Sequence, residues 1–408
     1  MRIRSITSFI DPRSEQADRQ LATLAAFSQR FQSSIEQQLM PVLSRRLATI
    51  PFPLYLSDLT ETERIGRVTR LANQARGLGW NYFSIGPALP DHPWSFTAIP
   101  GFLSIAEDIF SSAIVAGESR IFPAAVRASA QVIRDLTTLR ADGFANLRFA
   151  ALANVPTGTP FLPAAYHTGN RNPAVSLAVE CADVVQDAFS NAVDLDSARQ
   201  RLLARFEATA RKLTEIFTSL SSNEEIEFLG FDFSPAPFPQ DWCSLGGAVE
   251  KVGLEHIGGI GSLAAVAIIA DTLDRGNWQR AGFNGMMLPV LEDSILAKRA
   301  REGILTLQDL LLYSTLCGTG LDTIPLPGDT AVDQLEAVIM DIAALSMRLD
   351  KPLTARLMPI PGLAAGDPTS FEFEYFANSR VMSLDTQKVS LLANADQSIQ
   401  LNPRKRKP

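Results

Sequence analysis

Short apolar runs alternate with stretches of helical periodicity along almost the whole chain, and this alternation limits its fold more than any other feature. Residues 3–10 alternate polar with apolar side chains and stop at Asp11-Pro12, the pattern of a strand. Residues 14–46 then place Leu21, Leu24, Phe27 and Phe31 three or four apart, the period of a helix. Further extended pieces are expected at 50–56, 82–85, 110–115, 147–154, 175–179, 226–233, 285–290, 321–326, 353–360 and 370–382. Helices are expected between them at 61–77, 123–139, 197–220, 242–252, 262–274, 292–302 and 332–349. About ten strands interleaved with helices imply a largely parallel α/β protein. Neither a flexible linker nor a short repeat interrupts the pattern, so residues 1–385 are expected to form one barrel-like domain. Residues 386–408 form a tail ending in Arg404-Lys405-Arg406-Lys407. A solvated, frayed end is the plain reading, and nuclear localisation or docking on an acidic partner is the other.

Composition narrows the functional classes. At 46% apolar and 20% charged, the chain has the make-up of a globular enzyme and not of a disordered segment. A net charge of −7 argues against general nucleic-acid binding, which needs a basic field to neutralise phosphates. Cys181, Cys243 and Cys317 are widely spaced without a C-x-x-C pair, which fits reduced thiols and offers neither a disulfide framework nor a zinc knuckle. The opening MRIRSITSFI lacks the apolar core of a signal peptide, and the apolar run 263–270 is too short to cross a bilayer. A soluble, cytoplasmic protein is expected.

Chemistry should lie in the loops that follow strands, because strand ends form the ligand-binding edge of α/β folds. The loop 154–167 is rich in proline and glycine and ends in His167, readable as a general base or metal ligand, or as a brace for the loop. Asp232 closes an apolar strand, where a carboxylate must be paired, metal-bound or protonated, or cap a turn. Glu292 and Asp293 follow a strand and open a helix, where capping competes with catalysis; Glu292 is the better site candidate. In Cys317-Gly-Thr-Gly-Leu-Asp322 and the following Gly328-Asp329-Thr330, the two acids lie seven apart, which on one extended strand puts them on opposite faces. Asp329 is the stronger candidate of the two. Cys317 is a buried thiol by default, and a nucleophile by the sharper reading. Gly258, Gly259 and Gly261 precede a helix whose exposed amides would attract an anion, although close helix packing explains them equally. The chain has no Walker lysine, G-x-S-x-G elbow or H-E-x-x-H helix.

Several of these blocks carry a family resemblance. PFLPAAYH, GFDFSPAPFP, GLEHIGGIGS, GFNGMMLPVLEDSIL, CGTGLDTIPLPGDT and LTARLMPIPG, with the opening MRIRSIT, resemble successive segments of the DUF711 family over about residues 1–385. They are also similar to its sister group, UPF0210, often labelled the PFL family. That resemblance implies a fold like pyruvate formate-lyase and anaerobic ribonucleotide reductase: a ten-stranded barrel of two antiparallel five-stranded half-barrels with surrounding helices. A glycyl radical needs an Arg-Val-x-Gly-Tyr-type loop, and here Ser379-Arg380-Val381-Met382-Ser383 has no glycine. The family name itself carries no activity. Antiparallel halves also open on opposite rims, which would separate His167 from Asp232, Glu292 and Asp329.

The resulting expectation is a non-radical lyase or hydrolase acting on a small polar or anionic metabolite inside the barrel. Asp232, Glu292 and Asp329 would hold a divalent cation or perform acid–base work, and oxygen ligands favour Mg²⁺, Ca²⁺ or Mn²⁺ over zinc. The alternative is a non-catalytic small-molecule sensor or scaffold. The long helices at 14–46 and 197–220 suggest a homo-oligomer.

Overall fold

The structure is a computed structural model, and it describes all residues except 39, 170, 223, 388, 390, 391, 393–396 and 405–408. Its centre is a large mixed sheet surrounded by helices. The strands are β1 (Arg2–Ile10), β2 (Arg45–Thr49), β3 (Tyr82–Ala88), β4 (Ile109–Gly117), β5 (Arg120–Ile121), β6 (Phe149–Ala153), β7 (Ala174–Glu180), β8 (Glu227–Ala236), β9 (Gly320–Pro327), β10 (Leu353–Ile360) and β11 (Ile399–Gln400). The main path runs β8-β7-β1-β2-β3-β4-β6-β10-β9.

Two groups of strands run in opposite senses. Strands β1, β2, β3, β4 and β6 are mutually parallel. Strand β7 joins β1 antiparallel and carries β8 parallel to itself. At the other end β10 joins β6 antiparallel and carries β9 parallel. Between β8 and β9 the residues that follow Gln279 make single parallel bridges, Phe231 with Arg280 and Pro289 with Asp322.

Strands β6, β7 and β10 are buried throughout, because both of their faces are covered. Helices cover the outside; Phe27 and Phe31 of helix Ala17–Glu36 meet Phe217 of helix Leu195–Ser221 at ring distances of 5.1 and 5.7 Å. The loop joining β6 to β7 covers the inside. Its irregular backbone needs partners, and strand hydroxyls supply them. Ser5 and Thr7 donate to Pro160 O, Ser84 donates to Ala165 O, and Ser176 donates to Gly158 O.

Most expected elements form, and helices Ser262–Asp274 and Val332–Leu349 fall at the expected bounds. The first helix, however, ends at Glu36, short of Pro41, and the next strand is Arg45–Thr49. Residues 50–56 are not extended: Pro53 starts a single helical turn, Pro53–Leu56. The stretch 285–290 is no regular strand, because Gly282 and Asn284 turn the chain at positive φ just before it. Residues 370–382 likewise form no regular strand, and a single antiparallel bridge links Arg380 to Pro368. Helices Trp94–Leu103, Ala182–Ser190 and Leu307–Tyr313 were not anticipated. Ile399–Gln400 pairs with Arg120–Ile121, so the tail docks on the sheet at that point. Arg404 N donates to Arg348 O, and the rest of the basic end lies outside the described residues.

Candidate functional site

A cavity of about 340 Å³ opens against the loop 154–167 and is lined from both strand groups. Its polar wall holds Arg4 of β1, Arg46 of β2, Asp322 of β9, Arg356 of β10 and Glu292. All five are at least largely buried, so each charge needs a partner.

Two of these residues owe their placement to bulges. Between β1 and β7 the register shifts at Arg4, the extra residue between Ile3 and Ser5. Between β9 and β10 the pairs Ala355–Leu321 and Leu357–Ile324 leave Arg356 facing both Asp322 and Thr323, and Thr323 has φ +46°. An extra residue re-aims its neighbours out of the two-residue alternation.

The charges form a chain of bonds. Arg356 Nε donates to Asp322 Oδ1 at 2.5 Å, and its Nη2 donates to Glu292 Oε1 at 2.8 Å. Arg4 Nη2 donates to the other oxygen of Glu292 at 3.0 Å, and its Nη1 to Glu180 Oε2 at 3.1 Å. Burial alone would lower the Arg356 pKa, but Asp322 and Glu292 reverse this and leave it raised. Glu180 shows the opposite balance: burial raises its carboxyl pKa despite Arg4 and Arg2.

Arg46 differs. Its Nε donates to Ser44 Oγ at 3.0 Å, and its guanidinium lies 5.8 Å from the Tyr82 ring. It has no carboxylate partner among the described residues. Burial, with repulsion from Arg4 added, lowers its pKa to about 9. Such a group favours an incoming anion.

A family model described as "Uncharacterised ACR (DUF711)" matches residues 1–378. The chain belongs to the DUF711 family. A UPF0210 protein of Pyrobaculum aerophilum is 35% identical over 252 residues, 60% of this chain and 55% of its own length. UPF0210 proteins of Methanopyrus kandleri and Acetivibrio thermocellus are each 29% identical, over 83% and 86% of this chain and 78% and 81% of their own lengths. The DUF711 chain thus spans little more than half the length of the Pyrobaculum relative.

In this DUF711 chain the expected acidic triad does not assemble. Among the described residues no group of three or more His, Cys, Asp or Glu side chains is arranged to hold a metal. Asp232 is fully buried, and its carboxylate accepts from the amides of Phe283, Asn284 and Ser234 and from Ser234 Oγ, at 2.6–3.0 Å. Burial raises its pKa, and those donors oppose the rise. Asp232 is therefore a clamp on the bend at 282–285. Asp329 is exposed in the turn after β9, away from the cavity lining. Only Glu292 of the three faces the cavity, where Asp322 joins it.

Asp293 caps helix Ser294–Glu302 and also accepts from Ser244 Oγ and the amides of Leu245 and Gly246, so it joins two helix starts. Cys317 lies buried in the main core and does not line the cavity. Gly258 approaches Ile304 so closely that a Cβ would come within 2.5 Å of its carbonyl oxygen, and its amide donates to Ser262 Oγ. Packing therefore accounts for Gly258, while Gly261 at φ +106° caps the helix.

His167 is buried at the far end of β1. Its amide donates to Thr49 O, and its Nδ1 accepts from Gly169 N at 3.3 Å. Asp11, seven residues beyond Arg4, is the acid that acts on its ring; seven strand residues span roughly 23 Å. Burial lowers the His167 pKa to about 4 despite Asp11, and Arg171 adds to the lowering. The arginines were not anticipated at all. The usable signal was a charge inside an apolar strand, as in Leu353-Thr-Ala-Arg356-Leu-Met, where a lone cation must have buried partners.

No helix among the described residues is long and apolar enough to cross a membrane.

Proposed function

We propose that this DUF711 chain binds a small organic anion in the arginine-lined cavity and acts on it by non-radical acid–base chemistry of the lyase or hydrolase type. The observation that carries this reading is Arg46: a buried guanidinium at the cavity wall with no carboxylate bonded to it among the described residues. The anion's charge would pair with Arg46 while Arg4 and Arg356 hold Glu292 and Asp322 in place. Glu292, bonded on each oxygen by a different arginine, is the proton-transfer group of this reading.

The same reading places the cavity inside a closed ten-stranded barrel of the pyruvate formate-lyase type. In it the segment 279–291 is the tenth strand, inserted between β8 and β9. Its bridges to Phe231 and Asp322 support the closure. So do the bonds Phe231 N to Gln279 O and Val290 N to Asp322 O. The missing glycine after Arg380-Val381 favours chemistry without a stored radical.

The test is ligand binding and turnover on the purified protein with pooled small carboxylates and phosphate esters. Arg46→Met is expected to abolish the thermal stabilisation given by any bound anion, and Arg46→Lys to restore part of it. Glu292→Gln is expected to keep binding and lose turnover. Anion binding that survives Arg46→Met unchanged would sink the proposal.

A further inference from the structure

Resting on that anion reading, we infer that the ligand is a monoanion with an apolar body, as in an aryl or branched-alkyl monocarboxylate. Two independent features of the cavity lead there.

The first is charge. Each acid of the lining already has its arginine: Glu292 has Arg4 and Arg356, Asp322 has Arg356, Glu107 has Arg140, and Asp108 has Arg76. Arg148 donates to the carbonyls of Leu103 and Ala106 at 2.7 and 2.8 Å. Arg46 alone of the lining cations has neither an acid nor a carbonyl on its guanidinium among the described residues. One guanidinium bonded to neither an acid nor a carbonyl matches one negative charge on the ligand. A phosphate ester near −2 would bury a second charge without a partner.

The second is the rest of the wall. Phe110, Phe161, Leu162, Phe283 and Met287 face the cavity. This apolar surface begins beside the cation: Tyr82, under Arg46, meets Phe110 edge-on at 5.6 Å. The serine and threonine hydroxyls on the wall are occupied. Thr319 Oγ1 donates to Met286 O at 2.9 Å, Thr354 Oγ1 to Thr319 O at 2.8 Å, and Ser44 Oγ to Arg4 O at 2.8 Å. A hydroxylated ligand body would lose its water there and find few replacements. An apolar body gains from the same surface.

The test uses calorimetry on the purified full chain with five probes: phenylacetate, isovalerate, glycolate, succinate and phosphoglycolate. Phenylacetate and isovalerate are expected to bind at least tenfold more tightly than the other three. Met287→Gln should narrow that gap by weakening phenylacetate while sparing glycolate, and Arg46→Met should remove binding of all five. Equal affinities, or a preference for succinate or phosphoglycolate, would overturn the monoanion inference and leave the anion site standing. Binding of none of the five, or binding untouched by Arg46→Met, would overturn the anion reading and this inference with it.

Discussion

Arg356 is bonded to Asp322 across the bulge between β9 and β10, with Nε 2.5 Å from Oδ1 and both side chains buried. The same guanidinium reaches Glu292, so one cation is shared between two acids, and Arg4 bonds the other oxygen of Glu292. A buried pair broken on one side costs more than it contributes when intact.

Arg356→Leu is accordingly expected to destabilise the protein by about 3–5 kcal/mol, because Asp322 is left charged without its arginine. Adding Asp322→Asn to that variant should recover part of the loss. Urea unfolding of the two variants measures both numbers. Equal stability of Arg356→Leu and the unaltered protein would show that the acids find other partners.

His167 makes stability depend on pH. Its folded pKa of about 4 lies below the ordinary 6.5, so below pH 6.5 the unfolded chain takes up a proton that the folded chain refuses. The stability it contributes is full above pH 6.5 and falls as pH drops towards 4, by roughly 3 kcal/mol at most. His167→Gln should therefore lose less stability than the unaltered protein between pH 7.5 and pH 4.5. Parallel denaturant curves for the two proteins at the two pH values read this directly.

The fates of Asp232 and Asp329 explain how far the site was legible. Apolar periodicity located most strands and helices, because burial on one or both faces writes itself into sequence spacing. The acids were read as a set because each follows or closes a strand, but a carboxylate satisfied by amides has the same local sequence as one facing a ligand. Asp232 meets donors from residues 51 and 52 positions away. The bulges at Arg4 and Arg356 break the alternation on which side-chain direction was judged, so neither arginine announced its face. Arg46 ends a stretch of helical spacing, 14–46, that Pro41 interrupts ahead of the strand Arg45–Thr49.

The two aspartates should respond oppositely to substitution. Asp329→Asn, at an exposed turn, is expected to change stability by less than about 0.5 kcal/mol. Asp232→Ala strands four donors, three of them buried, and should cost at least about 3 kcal/mol. Thermal unfolding separates these outcomes, and a severe loss in Asp329→Asn would restore it as a site residue.

Gly285 tests how the segment 279–291 is held between β8 and β9. A Cβ there would lie 2.2 Å from Gly318 Cα, and one at Gly318 would lie 2.6 Å from Gly285 Cα, so the two backbones touch. Backbone cannot swing aside as a flexible side chain does, and the clash must push the segment from 279 to 291 away from the turn that starts β9. The neighbouring tie, Thr319 Oγ1 to Met286 O, would stretch with it. Gly285→Ala is expected to cost about 1–3 kcal/mol and to weaken anion binding, because Phe283 and Met287 lie on the displaced segment and Glu292 directly follows it. Gly66→Ala, whose Cβ meets nothing within 4 Å on an exposed helix face, is the control and should be neutral or mildly stabilising. Hydrogen exchange localises the effect: faster exchange of the Val290 amide, which donates to Asp322 O, is expected in Gly285→Ala alone. Unchanged exchange there, with stability intact, would mean the segment does not depend on this contact to hold its place between the two strands.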